Sequence, residues 1–241
     1  MKTRPYAITL LQLDTQPSYE ANLKRLIDGI NASAGQQLIV APEVCLTGFD
    51  YPHFDHAVDF YTEAITRIKP LVAASILVLT FVKPEEGNIV NQAVVIHNHQ
   101  VVYRQNKHKL FRLGNEQRYF DAGDDEAIKP FTINGVTYGI LICFELRFKE
   151  LWRQLEGVDI IIIPAMWGKS RKAHLEILSQ ALAIMNQCFV IVCDSANEDM
   201  AKSSAIIHPW GEVVRNDQAE VIQHTIDLKE VKKVRRLINM R

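Results

Sequence analysis

At 241 residues, with 48% hydrophobic and 23% charged side chains, the chain has the make-up of a folded protein long enough for one large domain or two small ones. A net charge of −1 supplies no basic footprint for nucleic acid, and apolar runs such as 71–82 stop short of the ~18 residues a membrane-spanning helix needs. Four cysteines with no CxxC, and no histidine pair at zinc spacing, read as reduced thiols in the cytoplasm rather than as disulfides or metal ligands, and the basic N-terminal start meets Gln12 and Asp14 too soon for a secretory leader.

Residues 7–13 (AITLLQL) read as a strand, after which Leu23, Leu26, Ile27 and Ile30 mark one face of a helix. Residues 36–43 (QQLIVAPE) are a buried strand, and Phe54, Ala57, Val58, Tyr61, Ile65 and Ile68 form a second amphipathic helix before the strand 76–82. AVVIHN and QVVYR flank Asn98 and His99 as a hairpin. After the polar segment 105–130, VTYGILIC (136–143) is a strand and Phe148, Leu151, Trp152 and Leu155 resume the helical period. VDIIIIPA (158–165) is a further strand. Leu175, Leu178, Leu182 and Met185 define a helix leading into the strand CFVIVC (188–193). SAIIHPWGEVVR and EVIQHTIDL are expected to form a turn-linked strand pair before the last helix, whose basic KEVKKVRRLINMR reads as a solvated face or subunit contact. With no linker or internal repeat, the pattern is that of one α/β domain in which strand layers are covered by helices.

Three polar residues follow buried strands, where α/β proteins gather ligand-binding groups: Glu43, Lys107 and Cys143. Singly, each has a plainer reading, the acid and lysine as loop charges and the cysteine as a small core residue. Together they make a coherent hydrolytic set. Glu43 would move protons, Cys143 would attack a carbonyl, and Lys107 would stabilise the resulting oxyanion. A Cys/His pair built with His174 or His208 is the competing arrangement. Cys45 borders Glu43 but has no evident base, and Cys188 and Cys193 read as core.

The segments APEVCLTGFDY, YRQNKHKLFRLGNEQRYFDAG and LICFELRF resemble, in order, the three catalytic blocks of the nitrilase superfamily of carbon-nitrogen hydrolases. SSAIIHPWGEVV is similar to a turn of the same family, and the resemblance spans nearly the whole chain, so that 1–241 is read as a single carbon-nitrogen hydrolase domain. The resemblance implies a four-layer α-β-β-α sandwich that forms a homodimer or higher homo-oligomer through helices. It implies Glu43 as general base, Lys107 as the stabilising lysine, Cys143 as nucleophile, Glu116 as a second glutamate that positions lysine and substrate, and the Phe144 N–H as an oxyanion donor. No metal or organic cofactor enters this scheme. Lys109 stands where relatives commonly carry histidine, while Leu182 and Met185 stand where they carry charges.

The Cys-Phe-Glu-Leu-Arg-Phe block resembles the branch containing ω-amidases and deaminated glutathione amidases, which implies a small carboxylate-bearing amide cleaved through a cysteine thioester. Arg171 then becomes a candidate for the substrate carboxylate and Trp167 a candidate pocket wall. An N-carbamoyl amidohydrolase of the same fold and a catalytically weak binding or scaffolding protein are the alternatives.

Overall fold

The computed structural model describes residues 5–124 and 128–240. Through the first half run β1 (Tyr6–Leu11), α1 (Tyr19–Ala32), β2 (Leu38–Val40), α2 (Phe54–Ile68), β3 (Ile76–Glu85), β4 (Asn88–His97) and β5 (Gln100–Asn106). The second half continues with β6 (Phe131–Ile133), β7 (Val136–Ile140), α3 (Lys149–Gln154), β8 (Ile160–Pro164), α4 (Lys172–Asn186), β9 (Phe189–Cys193), β10 (Ala205–Ile207), β11 (Val213–Arg215), β12 (Val221–Ile226) and α5 (Lys229–Leu237).

Two six-stranded sheets result, ordered β12-β1-β2-β3-β4-β5 and β11-β10-β9-β8-β7-β6. In each, the central pairs β1/β2/β3 and β7/β8/β9 are parallel and the outer pairs antiparallel. Strands buried on both faces need apolar side chains on both, which is why the runs are continuous rather than alternating. Period two still sorts them. Leu38, Val40, Ile76 and Val78 join the core shared with the second sheet, whereas Ile39, Leu77 and Leu79 join the core under α1 and α2. Each such side chain removed from water contributes about 1.5–3 kcal/mol. Helices therefore cover the outside of a double sheet, the α-β-β-α sandwich that the family resemblance implies.

Local signals account for several boundaries. Ser18 caps α1 by accepting the Ala21 N–H at 3.2 Å. Asn98 and His99 turn the β4/β5 hairpin with φ of +49° and +62°, the left-handed pair that a two-residue hairpin requires. At Gly139 a Cβ would lie 2.6 Å from Leu155 Cδ2, so glycine lets the chain beyond α3 close onto β7.

Three readings are corrected. The expected strands 36–43, 136–143 and 158–165 are shorter, since Ala41, Leu141 and Ala165 keep a sheet-like hydrogen bond and stay buried while the chain turns off each strand end. The tail does not make one strand pair: β10 and β11 form the hairpin, closed by Gly211 at φ +94°, and β12 crosses to pair with β1 in the other sheet. Met185 is 56% exposed, because the buried face of α4 runs through Leu175, Ser179, Leu182, Ala183 and Asn186, one position away. No helix among the described residues is long and apolar enough to cross a membrane.

Candidate active site

The strand ends of both sheets converge on a cavity of about 220 Å³ whose walls include Glu43, Glu116, Cys143, Phe144, Trp167 and Arg171. Glu43 lies in the turn after β2. The next residue, Val44, adopts φ +39°, a costly conformation for a β-branched residue, and the Thr80 hydroxyl holds it by accepting the Val44 N–H at 2.7 Å. Lys107 directly follows β5, and its N–H donates to Asn91 O at 2.8 Å.

The Lys107 ammonium is fully buried and donates to Glu43 Oε1 at 2.7 Å and to Glu116 Oε1 at 2.8 Å. Burial alone would lower the lysine pKa, but the two carboxylates hold it above its ordinary value, so it stays cationic. Glu116 is raised by burial and by Glu43 against the pull of Lys107, and its second oxygen accepts the Phe111 N–H at 2.9 Å. Asn91 Nδ2 donates to Glu43 Oε1 at 2.8 Å. Glu43 Oε2 is buried without a hydrogen-bond partner among the described residues. That oxygen is an open proton acceptor on a carboxylate whose other oxygen is doubly bonded by donors.

Cys143 starts the short 3₁₀ turn Cys143–Arg147 after β7 and takes φ +47°. Only 7% of it is exposed. Burial and the Glu43 charge push its thiol well above the usual range, Lys107 opposing, so the resting sulfur carries its proton. A protonated thiol can act as a nucleophile only with a base in the same pocket.

The structure thus brings Glu43, Lys107, Glu116 and Cys143 together, with Lys107 set behind the cavity wall between the two glutamates. Lys109 lies outside that row: its ammonium is 3.8 Å from Glu150 and stacks over Phe148 at 5.4 Å. Phe144 lines the cavity and packs against Phe111, with ring centroids 5.0 Å apart. Trp167 is anchored as a wall by its backbone N–H to Asp194 Oδ1 at 2.9 Å and its indole N–H to Arg171 O at 2.8 Å. Neither His174, bonded to Arg147 at 3.0 Å, nor His208, paired with Glu212 at 3.0 Å, lines the cavity, so the competing Cys/His arrangement finds no histidine in its wall. Cys45 is buried off the cavity wall, and burial pushes its thiol up to about 12.

Sequence reasoning passed over Asn91, Arg147 and Asp194. Asn91 is a polar residue inside a buried strand, and Asp194 immediately follows β9, the same strand-end position that flagged Glu43. Asp194 also accepts the Ser203 N–H at 3.2 Å, and burial pushes its carboxyl up to about 7. Arg147 lay within LICFELRF and stacks on Trp167 at 4.9 Å.

Two sheets between two helical layers, and a buried Glu-Lys-Glu row beside a cysteine, are the features of a hydrolase class. The chain belongs to the carbon-nitrogen hydrolase family, whose model matches residues 7–236. It is 30% identical over 219 residues to the 2-oxoglutaramate amidase of Bacillus subtilis (83% of this chain, 82% of the relative) and 28% identical over 227 residues to the omega-amidase YafV of Escherichia coli K12 (88% and 85%). Its fold is similar to that of XC1258 from Xanthomonas campestris, a CN-hydrolase superfamily protein, with a TM-score of 0.87 at 22% identity over 98% of this chain and 96% of that one.

Replacing Lys107 with Met leaves Glu43 and Glu116 buried without their shared cation, an expected loss of about 3–5 kcal/mol at neutral pH. One carboxyl then takes up a proton, its folded pKa rising above its unfolded value. Stability is consequently retained at acid pH and lost as pH rises through the raised pKa. Thermal melts should show the deficit against wild type growing from pH 5 to pH 8.

Proposed function

We propose that the protein is a thiol amidase that hydrolyses the amide C–N bond of a small carboxylate-bearing substrate. The observation that carries this reading is the buried Glu43–Lys107–Glu116 row placed beside Cys143, with Glu43 Oε2 unpartnered. Glu43 takes the thiol proton, and Cys143 attacks the carbonyl. Lys107 and the Phe144 N–H stabilise the oxyanion while Glu116 keeps Lys107 in place. Glu43 returns the proton to the leaving ammonia or amine, then activates the water that cleaves the thioester. A lysine held cationic by two carboxylates suits an anionic intermediate, and a protonated resting thiol suits a step that begins with proton removal.

The substrate class rests on Arg147 and Arg171. Both line an otherwise mainly apolar cavity, stacked on Trp167 at 4.9 Å and Phe111 at 5.1 Å. Their side-chain hydrogen bonds go to His174 and Ser170, and no carboxylate among the described residues pairs with either. Burial, and after it repulsion from the neighbouring Arg171 charge, lower the Arg147 pKa. A substrate carboxylate relieves that repulsion. The names of the two relatives, 2-oxoglutaramate amidase and omega-amidase, agree with such a substrate.

The reading includes a cytoplasmic homodimer. All four cysteines are free thiols, as a reducing compartment requires. On α4, Ile177 and Ile184 are two turns apart and exposed, and Ile184 lies beside the Gly211 turn that displays Trp210 and Val213. This apolar stripe is suited to an identical stripe on a second copy across a twofold axis.

Cys143→Ala should abolish turnover of small ω-amides while leaving the melting temperature within about 2 °C; retained turnover sinks the mechanism. With Arg171→Ala, KM for a carboxylate-bearing amide should rise about 10–100-fold, the loss of one charge-assisted hydrogen bond, while a neutral amide is little affected. Equal effects on both amides would remove the carboxylate from the reading. Sedimentation of the wild type should give a dimer at micromolar concentration, and Ile177→Glu should shift it to monomer.

A further inference from the structure

The groups of the site come from two different sheets: Glu43 and Lys107 follow β2 and β5 of the first, Cys143 follows β7 of the second. Sheets packed face to face share no backbone ladder, so something other than strand pairing must fix the lysine relative to the cysteine. We propose that Glu145 is the positioning residue that performs this task, a buried carboxylate tying the chain after Lys107 to the chain before Cys143.

Glu145 is fully buried and belongs to the 3₁₀ turn that Cys143 begins. Its Oε2 accepts the Ile142 N–H at 2.6 Å, on the residue before the cysteine. Its Oε1 accepts the His108 N–H at 2.6 Å, on the residue after Lys107, and the Lys109 N–H at 3.4 Å. One carboxylate therefore grips both chains through N–H donors on residues adjacent to Lys107 and Cys143. Gln105 adds a parallel tie, its Nε2 donating to Ile140 O at 3.1 Å.

The left-handed backbone of Cys143 makes this grip consequential. A non-glycine residue at φ +47° keeps that conformation only when its neighbours over-determine it. The bond from Ile142 N–H to Glu145 Oε2 fixes the entry to the turn, and the Glu145 N–H to Ile142 O at 3.1 Å fixes its first loop. Among the described residues, Glu145's side chain accepts only from backbone N–H groups, which calls for an acceptor at both oxygens. Glutamine matches the shape but presents an amide N–H₂ to one of those donors, leaving two donors facing each other. Burial pushes the Glu145 carboxyl up to about 7, opposed by the Ile142, His108 and Lys109 N–H groups and by Lys107.

This role rests on the proposed reading of Cys143 and Lys107, and it is tested by readouts that separate the two. In Glu145→Gln, kcat should fall about 10–100-fold with KM within about threefold, since the cavity walls that touch substrate stay in place. Alkylation of Cys143 by iodoacetamide, which needs no amide turnover, should change rate in the same variant. Glu150→Gln, an exposed control, should do neither. The Glu145→Gln/Lys107→Met double variant should turn over no more slowly than Lys107→Met alone, because a residue acting through lysine placement has nothing left to place. Should Glu145→Gln fail to fold by circular dichroism, Glu145→Asp, one methylene shorter, supplies the test with a smaller loss in the same direction. A folded variant with kcat within twofold of wild type, a loss confined to KM, or additive effects in the double variant would overturn the assignment. Unchanged turnover in Cys143→Ala would instead overturn the mechanism beneath it.

Discussion

The Lys107 ammonium sits in a dry site between two carboxylates, and much of the molecule is arranged around keeping it there. An unpaired buried ammonium loses its proton, and two buried carboxylates without a cation repel. Each charge in the row is tolerable only because the other two are present, with Asn91 and the Phe111 N–H satisfying further acceptor positions. Such a row adds little net stability compared with apolar side chains of the same volume. Its presence in an otherwise apolar interior accords with the chemistry proposed at the cavity better than with a contribution to folding.

The sandwich makes the row possible. Parallel strands end together, so the residues just past β2, β7 and β8 arrive at one edge of the sheets, and the turn after β5 joins them. Strands supply rigidity, while the residues that must depart from ordinary backbone geometry, Val44 and Cys143, lie in the turns that follow β2 and β7. The cost of each left-handed residue is borne by specific bonds, Thr80 for Val44 and the Glu145 turn for Cys143. Placement across two sheets also explains why buried polar side chains such as Gln105 and Glu145 persist between them.

Much of this was legible in the residues. Continuous apolar runs announced doubly buried strands, helical periods announced α1 and α2, and the strand-end rule picked out Glu43, Lys107 and Cys143 before any contact was known. What escaped depended on partners distant in sequence. Whether an apolar run is strand or buried loop is decided by neighbours, so the ends of β2, β7 and β8 were overextended. The destination of β12 depended on an unpaired edge at β1, more than 200 residues earlier, which no local pattern reveals. Met185 misled because an apolar residue one step off the buried face fits the period almost as well as one on it. Asn91 and Glu145 act through bonds to residues 48 and 37 positions away, and nothing in their immediate surroundings signals this.

The same interior sets opposite conditions for the nucleophile and for its partners. Burial keeps the Cys143 thiol protonated and inert at rest, while the row keeps Lys107 charged. On the proposed mechanism, negative charge appears on sulfur only as Glu43 accepts the proton, and it passes at once to an oxyanion beside a permanent cation. Low dielectric strengthens that attraction and equally penalises a thiolate formed without a substrate to attack. On the same reading, the arginine pair in the cavity wall, with no carboxylate partner among the described residues, favours anionic ligands over neutral ones. On that reading reactivity and selectivity draw on one circumstance, charges held in a poorly solvated cavity, with the buried row answering to the reaction and the arginines answering to the substrate.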